Sequence, residues 1–148
     1  MTGGVTEAVI RRLSEDKSTT ELRSIAFNGV RGMQGTKEAV VPYGDRELKI
    51  AMVSGPKNAE TLIQKIQKGE AQYDFVEVMA CPGGCISGAG QPITNLQGKK
   101  LRSTGLYAAD KMCSIKRSEE NPVVMAVYSE LLKGKVHELL HVDYKKEN

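Results

Sequence analysis

A chain of 148 residues with 40% hydrophobic and 26% charged side chains is an ordinary globular composition, which excludes a disordered or collagen-like polymer. No apolar run approaches the ~18 residues a membrane span needs, and no basic segment leads into an apolar one at the N-terminus, so no membrane partner is expected and the cytoplasm is the expected compartment. The net charge of +3 arises entirely after Thr94, where 10 Lys and Arg face 7 Asp and Glu against 11 of each before it; with 5% aromatics and no Trp this is a solvated face rather than a nucleic-acid surface, the sharper alternative being a patch for an acidic electron carrier.

Residues 2–13 open with a capping-type Thr2 and space Val5, Ala8, Val9 and Leu13 along one helical face. The helix follows no strand or linker, so upstream sequence that has been removed or is supplied by another chain is expected. Residues 14–20 read as a loop, and 22–27 fit a short helix or a strand equally well. The glycine-rich stretch 29–35 lacks the Gly-Lys-Ser/Thr of a phosphate loop, since Gly35 is followed by Thr36 and only then Lys37; a turn or linker is expected. Residues 38–43 and 47–53 read as strands joined by Gly44-Asp45-Arg46, with Pro42 placing the first at a sheet edge. Ala59, Leu62, Ile63 and Ile66 then form a helical stripe closing at Gly69, and 74–79 is a short apolar strand. Strand 48–53, helix 57–68 and strand 74–79 make a βαβ unit, whose strands should run parallel. Beyond Pro92 the chain reads as helical, around 101–113, from Asn121-Pro122 to Leu132 with Val124, Val127, Tyr128 and Leu131 on one face, and around 136–141. The expected fold is α/β: a small three- to four-stranded, partly parallel sheet with flanking helices and a helical C-terminal third, forming one domain over 1–148.

Two of the three cysteines, Cys81 and Cys85, stand where the second parallel strand ends, the place where open parallel sheets gather ligands. Pro82 suits the first position of a helix and makes Cys81 its expected N-cap, so that both sulfurs would sit on one helical turn facing free N–H groups. Such a setting favours thiolates. Gly83, Gly84, Gly88 and Gly90 let main-chain N–H groups approach those sulfurs. The odd, motif-bound cysteine count points to metal or redox chemistry rather than a disulfide framework. Two rivals stand beside a cluster. His137 and His141, four apart, would complete a Cys2His2 zinc set, though C-x-x-x-C is less typical of zinc than C-x-x-C. A redox dithiol would also more usually be C-x-x-C.

The stretch Glu77-Val78-Met79-Ala80-Cys81-Pro82-Gly83-Gly84-Cys85, with Gly88, Gly90, Gln91 and Pro92, closely resembles the third cysteine motif of the FeFe-hydrogenases. The resemblance spans nearly the whole chain, from Thr2-Gly3-Gly4-Val5 with Glu7-Ala8, through Val30-Arg31-Gly32 and Lys37-Glu38-Ala39, to Gly105-Leu106-Tyr107 with Asp110, Arg117-Ser118 with Asn121-Pro122, and Leu139-Leu140-His141 with Tyr144. It implies the C-terminal lobe of the catalytic domain. Cys81 would ligate the 4Fe-4S cubane of the H-cluster, and Cys85 would bridge it to the two-iron subsite. Met79 would pack on that subsite, with Gly83, Gly84, Gly88, Gly90 and Gln91 as the surroundings of the cluster. The implied activity is reversible proton reduction to H2 with ferredoxin-like electron carriers.

Two departures qualify the match. Ala89 stands where the family has glycine, and a cubane needs four cysteines while the chain offers only Cys113 besides the pair. Cys113 has no ligand role in the family and is expected to be a partly buried helix residue. The resemblance therefore implies a partner, a complementary N-terminal lobe or subunit with the other cluster cysteines, and an isolated chain without hydrogenase activity or a complete H-cluster. A non-catalytic hydrogenase-like protein of iron–sulfur assembly or sensing is the alternative of another class, with a structural zinc module third.

Overall fold

The computed structural model describes residues 1–13, 31–33, 35–43, 45–88 and 90–142. The readings of 14–20 and 22–27, and those on Val30, Ala89 and Tyr144, lie outside the described residues. The chain divides into two compact units, Met1–Lys116 and Arg117–Asn148.

The first unit is a three-stranded sheet between helices. Helix α1 (Gly4–Leu13) is followed by β1 (Thr36–Tyr43), β2 (Arg46–Ser54), α2 (Pro56–Gln67), β3 (Phe75–Met79) and α3 (Leu96–Met112). In the order β1-β2-β3, the first pair is antiparallel and the second parallel, so the hairpin and the βαβ unit stand as expected and Pro42 lies on an edge strand. From Ile50 to Ser54, β2 is buried on both faces, which is why it reads as an unbroken apolar run. On one face Ile50 and Met52 pack with Ile10, Ala39 and Val41; on the other Ala51 and Val53 pack with Leu62. Of the predicted stripe on α2 only Leu62 is fully buried, Ile63 and Ile66 being exposed.

Helix α1 departs from its predicted face. Val5, Ala8 and Leu13 are exposed, whereas Thr6, Glu7, Ile10 and Arg11 are buried. The buried side is polar because its partners are charges from distant parts of the chain. Arg11 pairs with Glu7 and, through both terminal nitrogens at 3.1 Å, with Asp110 of α3. Arg31 joins the same two carboxylates at 2.8 and 2.6 Å and lies 4.3 Å over the Tyr107 ring. The stretch expected to be a mere turn thus contributes a tie between α1 and α3. Glu7, through its hydrogen bond and charge, holds the Arg31 guanidinium protonated against its partial burial.

The second unit holds α4 (Pro122–Ala126), a π-helical turn (Val127–Leu131) and α5 (Val136–Leu140). Asn121 caps α4, its side chain accepting from Val123 N at 3.0 Å and Val124 N at 3.4 Å, with Pro122 in the first turn. No helix among the described residues is long and apolar enough to cross a membrane.

Two outcomes follow. Leu62→Ala should lower unfolding free energy by about 2–5 kcal/mol in urea titrations, with little change in the slope. Burial pushes the Asp110 carboxyl up, but hydrogen bonds from Arg11 and Arg31 outweigh it and hold it at about 2. A carboxyl with a depressed folded value contributes stability that is complete above the usual carboxylate range near 4 and lost as pH falls toward about 2. Urea midpoints measured from pH 6 to pH 2 should fall steeply below about pH 4 and less steeply in Asp110→Asn, which starts from a lower midpoint.

Candidate functional site

The cysteine stretch begins where β2 and β3 end side by side. Gly55, at the end of β2 and the start of α2, donates its N–H to the Met79 carbonyl at 2.8 Å. Its φ of +89 and a would-be Cβ 3.4 Å from Pro82 explain glycine there. Residues 81–84 then form a tight turn closed by Gly84 N to Cys81 O at 2.8 Å. Gly83 at φ 83, ψ 0 following Pro82 is the signature of a type II turn. A 3-10 turn (Gly84–Ser87) follows.

This corrects the expected local geometry. Cys81 is not the N-cap of a helix, and the two sulfurs do not share one helical turn: the left-handed Gly83 breaks the helical path between them. Cys81 opens the type II turn, Cys85 sits in the 3-10 turn, and both are free and exposed. A Cβ on Gly88 would lie 3.7 Å from the Cys81 sulfur, so this glycine leaves room beside it.

The loop is fastened on two sides. Arg102 of α3 donates to the Ile86 carbonyl at 3.0 Å and to the Pro92 carbonyl at 2.5 Å. On the other side the chain start rests on Gly84, where an added Cβ would meet Thr2 N at 2.6 Å and the Met1 carbonyl carbon at 2.9 Å. Glu77, inside β3, accepts from Gly3 N at 2.6 Å and from Thr6 N and Thr6 Oγ1 at 2.7 Å each. The start of α1 is therefore capped by a carboxylate from another element and not by Thr2, whose hydroxyl is buried without a partner.

The remaining predicted positions are spread around the loop. Met79 is half-buried and lines an open cleft of about 660 Å³ with Pro56, Ala59, Ile63, Val78 and Ala80. Gly90 (φ +86) and Gln91 border a second cleft of about 440 Å³ with Lys99 and Arg102. Cys113 is exposed at the C-cap of α3, correcting the expectation of a partly buried helix residue. In the second unit the His137 and His141 rings stack on each other at 5.1 Å.

A family model described as the C-terminal domain of the iron only hydrogenase large subunit matches residues 1–89. The chain belongs to the iron-only hydrogenase family. A second family model, described as the iron hydrogenase small subunit, matches residues 97–147. Iron hydrogenase 1 of Clostridium pasteurianum is 37% identical over 98% of this chain and 27% of its own length. A solved FeFe-hydrogenase variant from Chlamydomonas reinhardtii superposes with a TM-score of 0.67 at 32% identity, covering 97% of this chain and 45% of that one. Cytosolic iron-sulfur assembly component 3 of Rattus norvegicus is 29% identical over 96% of this chain and 31% of its own length. The chain thus spans about a quarter to a third of the curated relatives it matches.

Iron-only hydrogenases carry iron–sulfur clusters, and the loop suits part of such a group. Two exposed thiols stand on a glycine-rich turn, and the space beside Cys81 is kept open by Gly88. The fit is partial, because no three or more His, Cys, Asp or Glu converge as a metal site among the described residues. Reading the sequence for thiols missed Arg102 and the role of Glu77. For Glu77 the signal was present: a charge inside the apolar run 75–79 demands a buried partner.

Gly84→Ala should cost more than Gly90→Ala in equilibrium unfolding. Both pay about 1–2 kcal/mol for a left-handed backbone, but nothing lies within 4 Å of a Cβ on Gly90, while Gly84 abuts the backbone of Met1 and Thr2.

Proposed function

We propose that this chain is the H-cluster-binding C-terminal lobe of an FeFe-hydrogenase, with Cys81 as a ligand of the 4Fe-4S cubane and Cys85 as the thiolate that bridges it to the two-iron subsite. The observation that supports this most is the placement of two exposed thiols on a fastened glycine turn at the carboxyl ends of parallel strands. When bound, the group supplies reversible reduction of protons to H2. The chain's own part is to present two sulfurs, to keep bulk away at Gly88, and to leave Met79 at the rim of the neighbouring cleft. A complementary N-terminal lobe or subunit provides the remaining cysteines, and a ferredoxin-like carrier in the cytoplasm provides electrons.

A second reading, a non-catalytic hydrogenase-like protein of iron–sulfur assembly, is favoured by the relative from Rattus norvegicus. Co-expression with a chain carrying the missing cysteines, under conditions that mature the cluster, separates the two. The first reading expects H2 turnover from the pair, none from this chain alone, and loss of turnover and of bound iron in Cys81→Ser and Cys85→Ser. Iron and sulfide bound by the pair without H2 turnover would favour the second reading. Stoichiometric zinc without sulfide would overturn both.

A further inference from the structure

Lys37, Met52 and Glu77 lie in one row across the sheet, since Lys37 is opposite Met52 on β1–β2 and Met52 opposite Glu77 on β2–β3. Both charged residues are buried, at 7% and 5% exposure, and two strand spacings separate them, about 10 Å. What lies between them is a peptide group. Lys37 Nζ donates to the Thr2 carbonyl at 2.9 Å, and Glu77 Oε1 accepts from the Gly3 N–H at 2.6 Å. The C=O and the N–H of the single Thr2–Gly3 peptide unit are thus each met by a buried charge of the matching sign. Gly3 has φ +100, a conformation that an L side chain rarely adopts. The same Thr2 presents its N to Gly84, at the spot a Cβ there would fill.

We infer that Lys37 and Glu77 are a positioning pair that clamps the Thr2–Gly3 peptide, thereby setting the adjoining Met1–Thr2 peptide against Gly84, and so fixes the turn carrying Cys81 and Cys85. Neither residue touches the thiols; they act through the backbone of residues 2, 3 and 84. The clamp works from the sheet side while Arg102 works from α3, so that the intervening turn is held at Gly84 and at Ile86 with both sulfurs left exposed. The consequence for ligation rests on the proposed role of the two cysteines. The clamp itself does not, and the unloaded chain suffices to test it.

Removing a single buried charge endangers folding, whereas replacing both by uncharged groups of similar volume is far milder. The double variant Lys37→Met/Glu77→Gln is therefore the central one, with each single variant beside it, and the readout is amide hydrogen exchange of the full chain followed by NMR. The Gly84 amide, bonded to Cys81 O, should exchange at least about tenfold faster in the double variant, together with the Gly88 amide, bonded to Cys85 O, while Ala51 and Val53 change by less than about twofold. Unchanged exchange at Gly84 and Gly88 would overturn the clamp. Equal loss of protection at Ala51 and Val53 would also overturn it, because the pair would then hold the whole sheet and not the turn. Absence of bound iron in any preparation would count against the cysteine ligands and leave these exchange rates as they are.

Discussion

The placement of Glu77 constrains everything around the cysteine turn. A carboxylate shut inside a sheet-to-helix interface is tolerable only where several donors converge on it, and here three come from the first turn of α1. Two of those donors, the Gly3 and Thr6 N–H groups, are ones a helix start leaves without partners, so one interaction satisfies two demands: the strand's buried charge and the helix's open N–H groups. The geometry fixes α1 over the row Lys37–Met52–Glu77, which in turn settles which side of α1 faces inward. Thr6 and Glu7 must then be buried, and Val5 and Ala8 are turned outward.

Once α1 is set by Glu77, it brings Glu7 and Arg11 toward α3, where Arg31, Asp110 and Lys116 complete a five-charge cluster. Isolated surface pairs contribute little, but these groups are partly or fully buried and share their hydrogen bonds, so the cluster acts as a weld between helices whose contact offers little apolar area. Helix α3 carries Arg102 on the same body, and Arg102 reaches the carbonyls of Ile86 and Pro92. The cysteine turn is thereby referenced to both helices through polar contacts, while the apolar core around β2 supplies the platform on which they stand.

Apolar periodicity made the sheet legible. The hairpin 38–53, the crossover helix and β3 all follow from alternation, a continuous buried run and glycine punctuation, because burial of those residues is itself apolar. The same reasoning failed for α1, whose inward face is made of Thr6, Glu7 and Arg11, side chains whose partners lie as far as 71 and 99 positions away. No local pattern carries that information; an unexplained charge within β3 was the only trace of it. The turn at Cys81 failed for a different reason. Proline after a cysteine suits both the first residue of a helix and the second of a type II turn, and the choice falls to the next residue, where Gly83 adopts φ +83. Pro82-Gly83 is itself a turn signal, so the better reading was available in the dipeptide.

The contrast between a fastened backbone and exposed sulfurs bears on how the turn comes by its shape. If the cysteine-bearing turn gained its shape only from a metal group, its backbone would need little support beforehand, and ligation would carry the cost of ordering it. Here the turn is bonded internally through Gly84 and Gly88, held at Ile86 by Arg102, and abutted at Gly84 by the start of the chain. Ordering is thus supplied by the lobe's own polar contacts, and the two sulfurs are presented without ligand partners among the described residues. A pair of donors preorganised in this way lowers the entropic cost of ligation, because the backbone that carries them is already ordered before any ligand arrives.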